Sequence, residues 1–178
     1  NSENSKLNHK AIRNFTNLIK KISRKTKIVF TSSGAVYGKL KNKQNYTKDK
    51  IIIEKIFQNY GVNGFNVSIA RLFTFFGKRI LEDKRYAISE FINSGLNKKK
   101  IYVKSNKIVY RSYMHSNDLV IWLMKILFNS NQKCPIYDVG SDEKIKVQTL
   151  AKIVGKILKK PVVIKKITNK TKEVYLPS

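Results

Sequence analysis

The stretch that most constrains this chain runs Lys27-Ile28-Val29-Phe30-Thr31-Ser32-Ser33-Gly34-Ala35-Val36-Tyr37-Gly38. An apolar, β-branched run of strand length that ends in hydroxyl residues and two glycines predicts a buried strand delivering small polar side chains to a loop. Ser33 falls at the strand's carboxyl end. Ligands of open parallel α/β sheets bind at that edge, so a hydroxyl there is better placed for chemistry than one in mid-strand. Tyr46 and Lys50 follow, four apart at the head of a helical pattern, and so lie on one face a turn apart. An ammonium that close favours the charged form of a phenol and lowers its pKa, which suits the phenol to acid–base work near neutral pH.

The flanking patterns give the frame. Leu7, Ala11, Phe15, Leu18, Ile19 and Ile22 predict a helix over about residues 6–23. Beyond Tyr46, the apolar positions Ile52, Ile53, Ile56, Phe57 and Tyr60 continue a helix that Gly61 is expected to close as a left-handed cap. The β-rich run 65–73 then completes a strand–helix–strand unit, which implies parallel strands. Further on, a short helix around Tyr86–Ile92 and a short strand Ile101–Val103 are expected. Ser116 or Asn117 should cap a helix running through Phe128, with Asp118 in its first turn. A helix at 147–158 and a strand at Val162–Ile164 follow. Lys98-Lys99-Lys100 suits a solvated turn.

Composition narrows the function classes. A length of 178 residues with 42% hydrophobic content suits one domain, or one and a half, with a real core. A net charge of +26 invites a nucleic-acid partner, yet 31 of the 37 basic residues are lysine, spread without a run longer than three. No nucleic-acid partner is therefore expected. Cys134 is the only cysteine, which excludes an intrachain disulfide and fits a reducing, cytoplasmic setting. His9 and His115 lack metal-ligand spacing, so no metal is expected. Leu119–Phe128, broken by Lys125, is too short to span a bilayer, and no membrane association is expected. The chain opens Asn-Ser-Glu and ends Tyr175-Leu-Pro-Ser without an evident closing element, as a piece of a longer protein would.

Ser32-Ser33-x-x-Val36-Tyr37-Gly38 followed by Tyr46-x-x-x-Lys50 resembles the Ser-Tyr-Lys centre of the extended short-chain dehydrogenase/reductases, the NAD-dependent epimerases and dehydratases of nucleotide sugars. The resemblance implies that Ser33 binds the substrate hydroxyl or carbonyl, that Tyr46 transfers the proton, and that Lys50 lowers its pKa and holds the nicotinamide ribose. Tyr46 follows Ser33 by 13 positions and has Glu54 four beyond Lys50, as family members often do. Tyr37-Gly-Lys-Leu-Lys41 also matches Tyr-x-x-x-Lys, as expected by chance in so lysine-rich a chain. Ala70-Arg-Leu-Phe-Thr-Phe-Phe-Gly77 resembles the family's Arg-x-Phe-Asn-x-Tyr-Gly segment, which implies cofactor contacts for Arg71 and Phe73 and a substrate contact for Thr74. Thr74 stands where an asparagine is usual. Arg111, Tyr113, His115, Asp118 and Leu119 match a pattern whose arginine grips the nucleotide diphosphate. Tyr137-Asp-Val-Gly-Ser141 and, in the first helix, Asn8 are further correspondences.

The implied fold is α/β, an incomplete Rossmann-like doubly wound parallel sheet over 1–75, with a smaller α/β substrate-binding lobe interleaved with returning elements over 76–178. No glycine-rich dinucleotide loop occurs, so roughly the first hundred residues of such a fold are expected upstream of Asn1. The resemblance further implies NAD or NADP as cofactor, a nucleotide-sugar substrate and a homodimer. Gly34 and Ala35 replace the Asp-Glu pair of sugar 4,6-dehydratases, which favours an epimerase or reductase over that chemistry and leaves other dehydrations open. The alternatives are an inactive Rossmann-fold interaction domain and a basic nucleic-acid-binding protein.

Overall fold

The structure, a computed structural model, describes residues 2–19, 21–38, 45–78 and 86–177. In chain order these form α1 (Ser2–Ile19), β1 (Lys27–Ser33), a 3-10 turn (Gly34–Tyr37), α2 (Asn45–Val62), β2 (Asn66–Leu72), β3 (Phe75–Phe76), α3 (Ala87–Asn97) and β4 (Ile101–Val103). There follow β5 (Lys107–Arg111), β6 (Met114–His115), α4 (Ser116–Phe128), β7 (Ile136–Val139), β8 (Ile145–Lys146), α5 (Val147–Ile157), β9 (Val162–Ile164) and β10 (Asn169–Tyr175). The chain divides into two compact units, Asn1–Leu72 with Val120–Val139 and Phe73–Leu119 with Gly140–Ser178.

In the first unit β1, β2 and β7 form a parallel sheet in that order, so the strand–helix–strand unit has the parallel pairing its sequence predicts. Val67, Ile69 and Ala70 of β2 are fully buried, as a central strand covered on both faces must be. Helix α2 lays Ile53 and Phe57 onto the sheet, where the Phe57 ring stacks on Phe30 at 4.5 Å and meets Phe15 of α1 at 5.1 Å. The register sets Ser32 of β1 beside Arg71 of β2, and Arg71 beside Asp138 of β7. In-register neighbours on parallel strands share a face, so these three polar residues form one row across the carboxyl end of the sheet.

Two helix ends differ from expectation. Helix α1 stops at the fully buried Ile19, and the main chain then turns, with Lys21 N–H bonded to Leu18 O at 2.8 Å. Gly61 does not cap α2. It lies inside the helix, where an added Cβ would come within 2.7 Å of Gln132 O, so its role is close approach of two backbones. The left-handed residue is Gly64, at φ 87°. Phe65 N–H bonds Tyr60 O at 3.1 Å and Gly64 N–H bonds Gly61 O at 2.9 Å, while the Tyr60 and Phe65 rings meet edge to face. That is a Schellman ending with its hydrophobic contact, three residues later than the sequence suggested.

The second unit is mixed. β10 pairs parallel and β8 antiparallel with β5, and β3–β6 and β4–β9 are parallel two-strand pairs. Helices α3 and α5 pack Ile88, Phe91, Val147, Leu150, Ala151 and Val154 over Ile101 and Val103. Strand β10 was not foreseen: its polar sequence carries no apolar run, and pairing with β5 from Lys107 to Arg111 makes it a strand. Helix α4 also starts differently from expectation. The acceptor for Asn117 N–H is His115 Nδ1 at 3.2 Å, because β6 holds His115 extended just ahead of the first turn. Ser116 Oγ lies against Gly77, where an added Cβ would approach it to 2.3 Å.

Candidate functional site

Ser33 is the last residue of β1, and its Oγ accepts the Ala35 N–H at 3.3 Å, capping the 3-10 turn. Tyr46 is the second residue of α2 and is 50% exposed. Lys50 Nζ donates to the Thr31 main-chain oxygen at 2.8 Å, lies 4.8 Å from the centre of the Phe30 ring and 5.7 Å from that of Tyr46. The ammonium therefore joins Tyr46 to the residue two before Ser33. Burial lowers the Lys50 pKa, and the negative charge of Glu54 partly opposes that shift.

Beside this pair stands a network that the sequence reading did not assemble. Glu54, 5% exposed, takes the Ser32 hydroxyl at 2.5 Å and a two-pronged Arg71 guanidinium, Nε at 3.1 Å and Nη2 at 2.8 Å. Arg71 Nη1 donates to the Tyr37 oxygen at 2.8 Å, and Tyr37 donates in turn to the Asp138 carboxylate at 2.9 Å. Glu54 is the first cause of a raised Arg71 pKa, so the guanidinium stays charged. The sequence offered each member singly, Glu54 four beyond Lys50, Ser32 and Tyr37 in the strand-end stretch and Asp138 in Tyr137-Asp-Val-Gly-Ser141, but nothing in it joined them.

The remaining candidates lie in the second unit. Phe73 is buried, its ring 4.9 Å from that of Tyr175. The Thr74 main-chain oxygen accepts Met114 N–H at 3.1 Å. Arg111 Nη1 donates to Tyr110 O at 2.9 Å and Nη2 pairs with Glu173, with the guanidinium 5.6 Å from the Tyr175 ring centre. The side chain of Asn8 lies outside the described residues. Among the described residues no group of three His, Cys, Asp or Glu is placed to hold a metal, and no helix is long and apolar enough to cross a membrane.

Comparison with known proteins gives this geometry a context. UDP-glucuronic acid decarboxylase 6 of Arabidopsis thaliana is 28% identical over 125 residues, 70% of this chain and 36% of the relative. The UDP-N-acetylglucosamine 4-epimerase of Bacillus cereus superposes with a TM-score of 0.69 at 15% identity, over 86% of this chain and 54% of that one. The dTDP-glucose 4,6-dehydratase of Bacillus anthracis, solved in complex with NAD, gives 0.68 at 16% identity, over 83% and 52%. The chain spans about half the length of these solved proteins and about a third of the curated relative. Structural likeness at such identities concerns the fold, an α/β architecture with Rossmann-type parallel pairing. The sequence profile of the NAD dependent epimerase/dehydratase family matches residues 1–140, more than three quarters of the chain. With that match over its strand-edge serines, its tyrosine–lysine helix and the parallel sheet beneath them, this chain belongs to the NAD-dependent epimerase/dehydratase family.

Proposed function

We propose that this chain carries the tyrosine–lysine edge of an enzyme that uses NAD or NADP to act on a nucleotide-activated sugar, as an epimerase or reductase. The observation that carries this reading is the seat of Lys50, with its ammonium on the Thr31 oxygen at the carboxyl end of a parallel strand and beside the Tyr46 ring. Ligands of such sheets bind at that edge. The donor set suits a nicotinamide nucleotide: an ammonium has three protons, and the Thr31 bond uses one, leaving donors for vicinal ribose hydroxyls. The nicotinamide, when bound, supplies the hydride chemistry.

The chain's own residues then divide the remaining work. The ammonium of Lys50 favours the phenolate of Tyr46, whose oxygen takes or returns the proton of a sugar hydroxyl. Ser33 stands at the same sugar oxygen. The family resemblance assigns Arg71 and Phe73 to the cofactor, and Thr74 and Arg111 to the substrate. Glu173 is 52% exposed, and an exposed ion pair is worth little, so a diphosphate can take its place on Arg111 at small cost. Gly34 and Ala35 put no carboxylate in the 3-10 turn, which favours epimerisation or reduction over 4,6-dehydration. The exposed Leu18 of α1 and Ile52 of α2 supply apolar surface for a second copy of the chain.

The test is turnover by the encoded polypeptide, purified with NAD and offered UDP-glucuronic acid, UDP-N-acetylglucosamine and dTDP-glucose. Tyr46→Phe is expected to lower kcat by about 10²–10⁴-fold while NADH binding persists. Wild-type protein that folds, binds no NADH and turns over none of the three would favour an interaction domain instead.

A further inference from the structure

Tyr46, Lys50 and Glu54 recur every four residues along α2 and so share a face. Glu54 is bound to Ser32 of β1 and Arg71 of β2, and Arg71 reaches Tyr37 of the 3-10 turn, which reaches Asp138 of β7. Every strand of the first sheet is thus tied, at its carboxyl end, to the helix that carries Tyr46 and Lys50. Such a buried ion pair adds little net stability, because desolvation offsets the Coulomb attraction. Its geometry is another matter. A guanidinium fork meets a carboxylate in one planar arrangement, whereas the apolar contacts of Ile53 and Phe57 are non-directional and tolerate small rotations of the helix.

We propose that Glu54 and Arg71 are positioning residues that fix the rotation and axial register of α2 on the sheet, and thereby hold Lys50 on the Thr31 oxygen and Tyr46 beside it. The importance of this for catalysis rests on the reading of Tyr46 and Lys50 given above; the placement itself does not. An α-helix advances 1.5 Å and turns 100° per residue, so a fraction of one residue's slip breaks the 2.8 Å bond from Lys50 to Thr31. Ser32, Arg71 and Asp138 come from three strands in one register row, so the anchor shifts only if the sheet itself slips.

Phe30 and Tyr46 supply the readout, because their ring currents displace the proton resonances of the Lys50 side chain between them. The chain is labelled with 13C-lysine, and the Lys50 Cε–Hε signal is assigned by its loss in Lys50→Arg. In Glu54→Met/Arg71→Met, which replaces a buried ion pair by apolar groups of similar length, stability is expected to hold near wild type. The Lys50 signal is expected to move to the crowded position of exposed lysines. If that variant keeps its circular dichroism and urea midpoint and the Lys50 signal stays where it was, the proposal is overturned. If it does not fold, Tyr37→Phe decides, since Tyr37 is more than half exposed and its loss frees Arg71 Nη1 without burying a charge. A partial shift of Lys50 is expected there, and no shift overturns the proposal. Failure of the catalytic reading would look different: undiminished turnover in Tyr46→Phe, with the Lys50 signal still dependent on Glu54 and Arg71.

Discussion

Lys50 Nζ and the main-chain oxygen of Thr31 lie 2.8 Å apart, so the ammonium that neighbours Tyr46 is held by the strand that ends at Ser33. The contact makes the helix face and the strand edge one piece of structure, and it has consequences for pH. Burial lowers the Lys50 pKa in the folded protein below its ordinary 10.5. Between the lowered value and 10.5 the unfolded chain binds more protons than the folded one, so this group makes stability rise with pH. Lys50→Met removes that slope. Urea midpoints of wild type and Lys50→Met, followed from pH 7 to 10.5, should show wild type gaining on the variant as pH increases. The bond itself is worth about 1 kcal/mol.

The Glu54–Arg71 pair gives an asymmetric mutational signature. Glu54→Ala leaves the guanidinium of a largely buried arginine without its carboxylate and should cost about 3–5 kcal/mol in urea denaturation. Removing both partners together as methionines should cost far less than the sum of the two single changes. Simple additivity would mean that the two side chains do not act as a pair.

Gly61 and Gly64 should both resist substitution, for unlike reasons. Alanine is the better helix former, yet at Gly61 its Cβ meets the Gln132 oxygen at 2.7 Å and Cys134 Cβ at 3.0 Å, so Gly61→Ala should lose about 1–2 kcal/mol. At Gly64 the difficulty is the backbone, at φ 87°. Gly64→Ala should cost about 1 kcal/mol and Gly64→Asn less, since asparagine visits the left-handed region more readily. Thermal melting of the variants checks the ranking, and an asparagine tolerated at Gly61 but not at Gly64 would reverse it.

Cys134 should be chemically silent in the native protein. Burial pushes its thiol up to about 11, with Glu54 as a smaller contributor, so little thiolate exists near neutrality. Iodoacetamide at pH 8 should label it only after denaturation. From about pH 9 to 11 the unfolded chain loses this proton while the folded chain keeps it, so the group lowers stability across that window. The opposing slopes of Cys134 and Lys50 separate when Cys134→Ala is melted alongside Lys50→Met.

The sequence by itself determined the local pieces. β-branched runs predicted β1 and β2, helical spacing predicted α2 and α5, and the correspondence of Arg111, Tyr113, His115, Asp118 and Leu119 marked Arg111, since each of these signals is local in the chain. It placed Ser33 at a strand end and Tyr46 and Lys50 on one face, where the structure has them. Tertiary structure decided what lies between such segments. Gly61 and Gly64 look alike in a string, and only the approach of Gln132 and the exit path to β2 give one a packing role and the other the cap. The polar strand β10 exists through its pairing with β5. Ser32, Glu54, Arg71, Tyr37 and Asp138 meet across separations of 17 to 101 residues because the register of three parallel strands aligns them. Register depends on how whole strands bury their apolar faces together, and no single stretch of sequence contains that information.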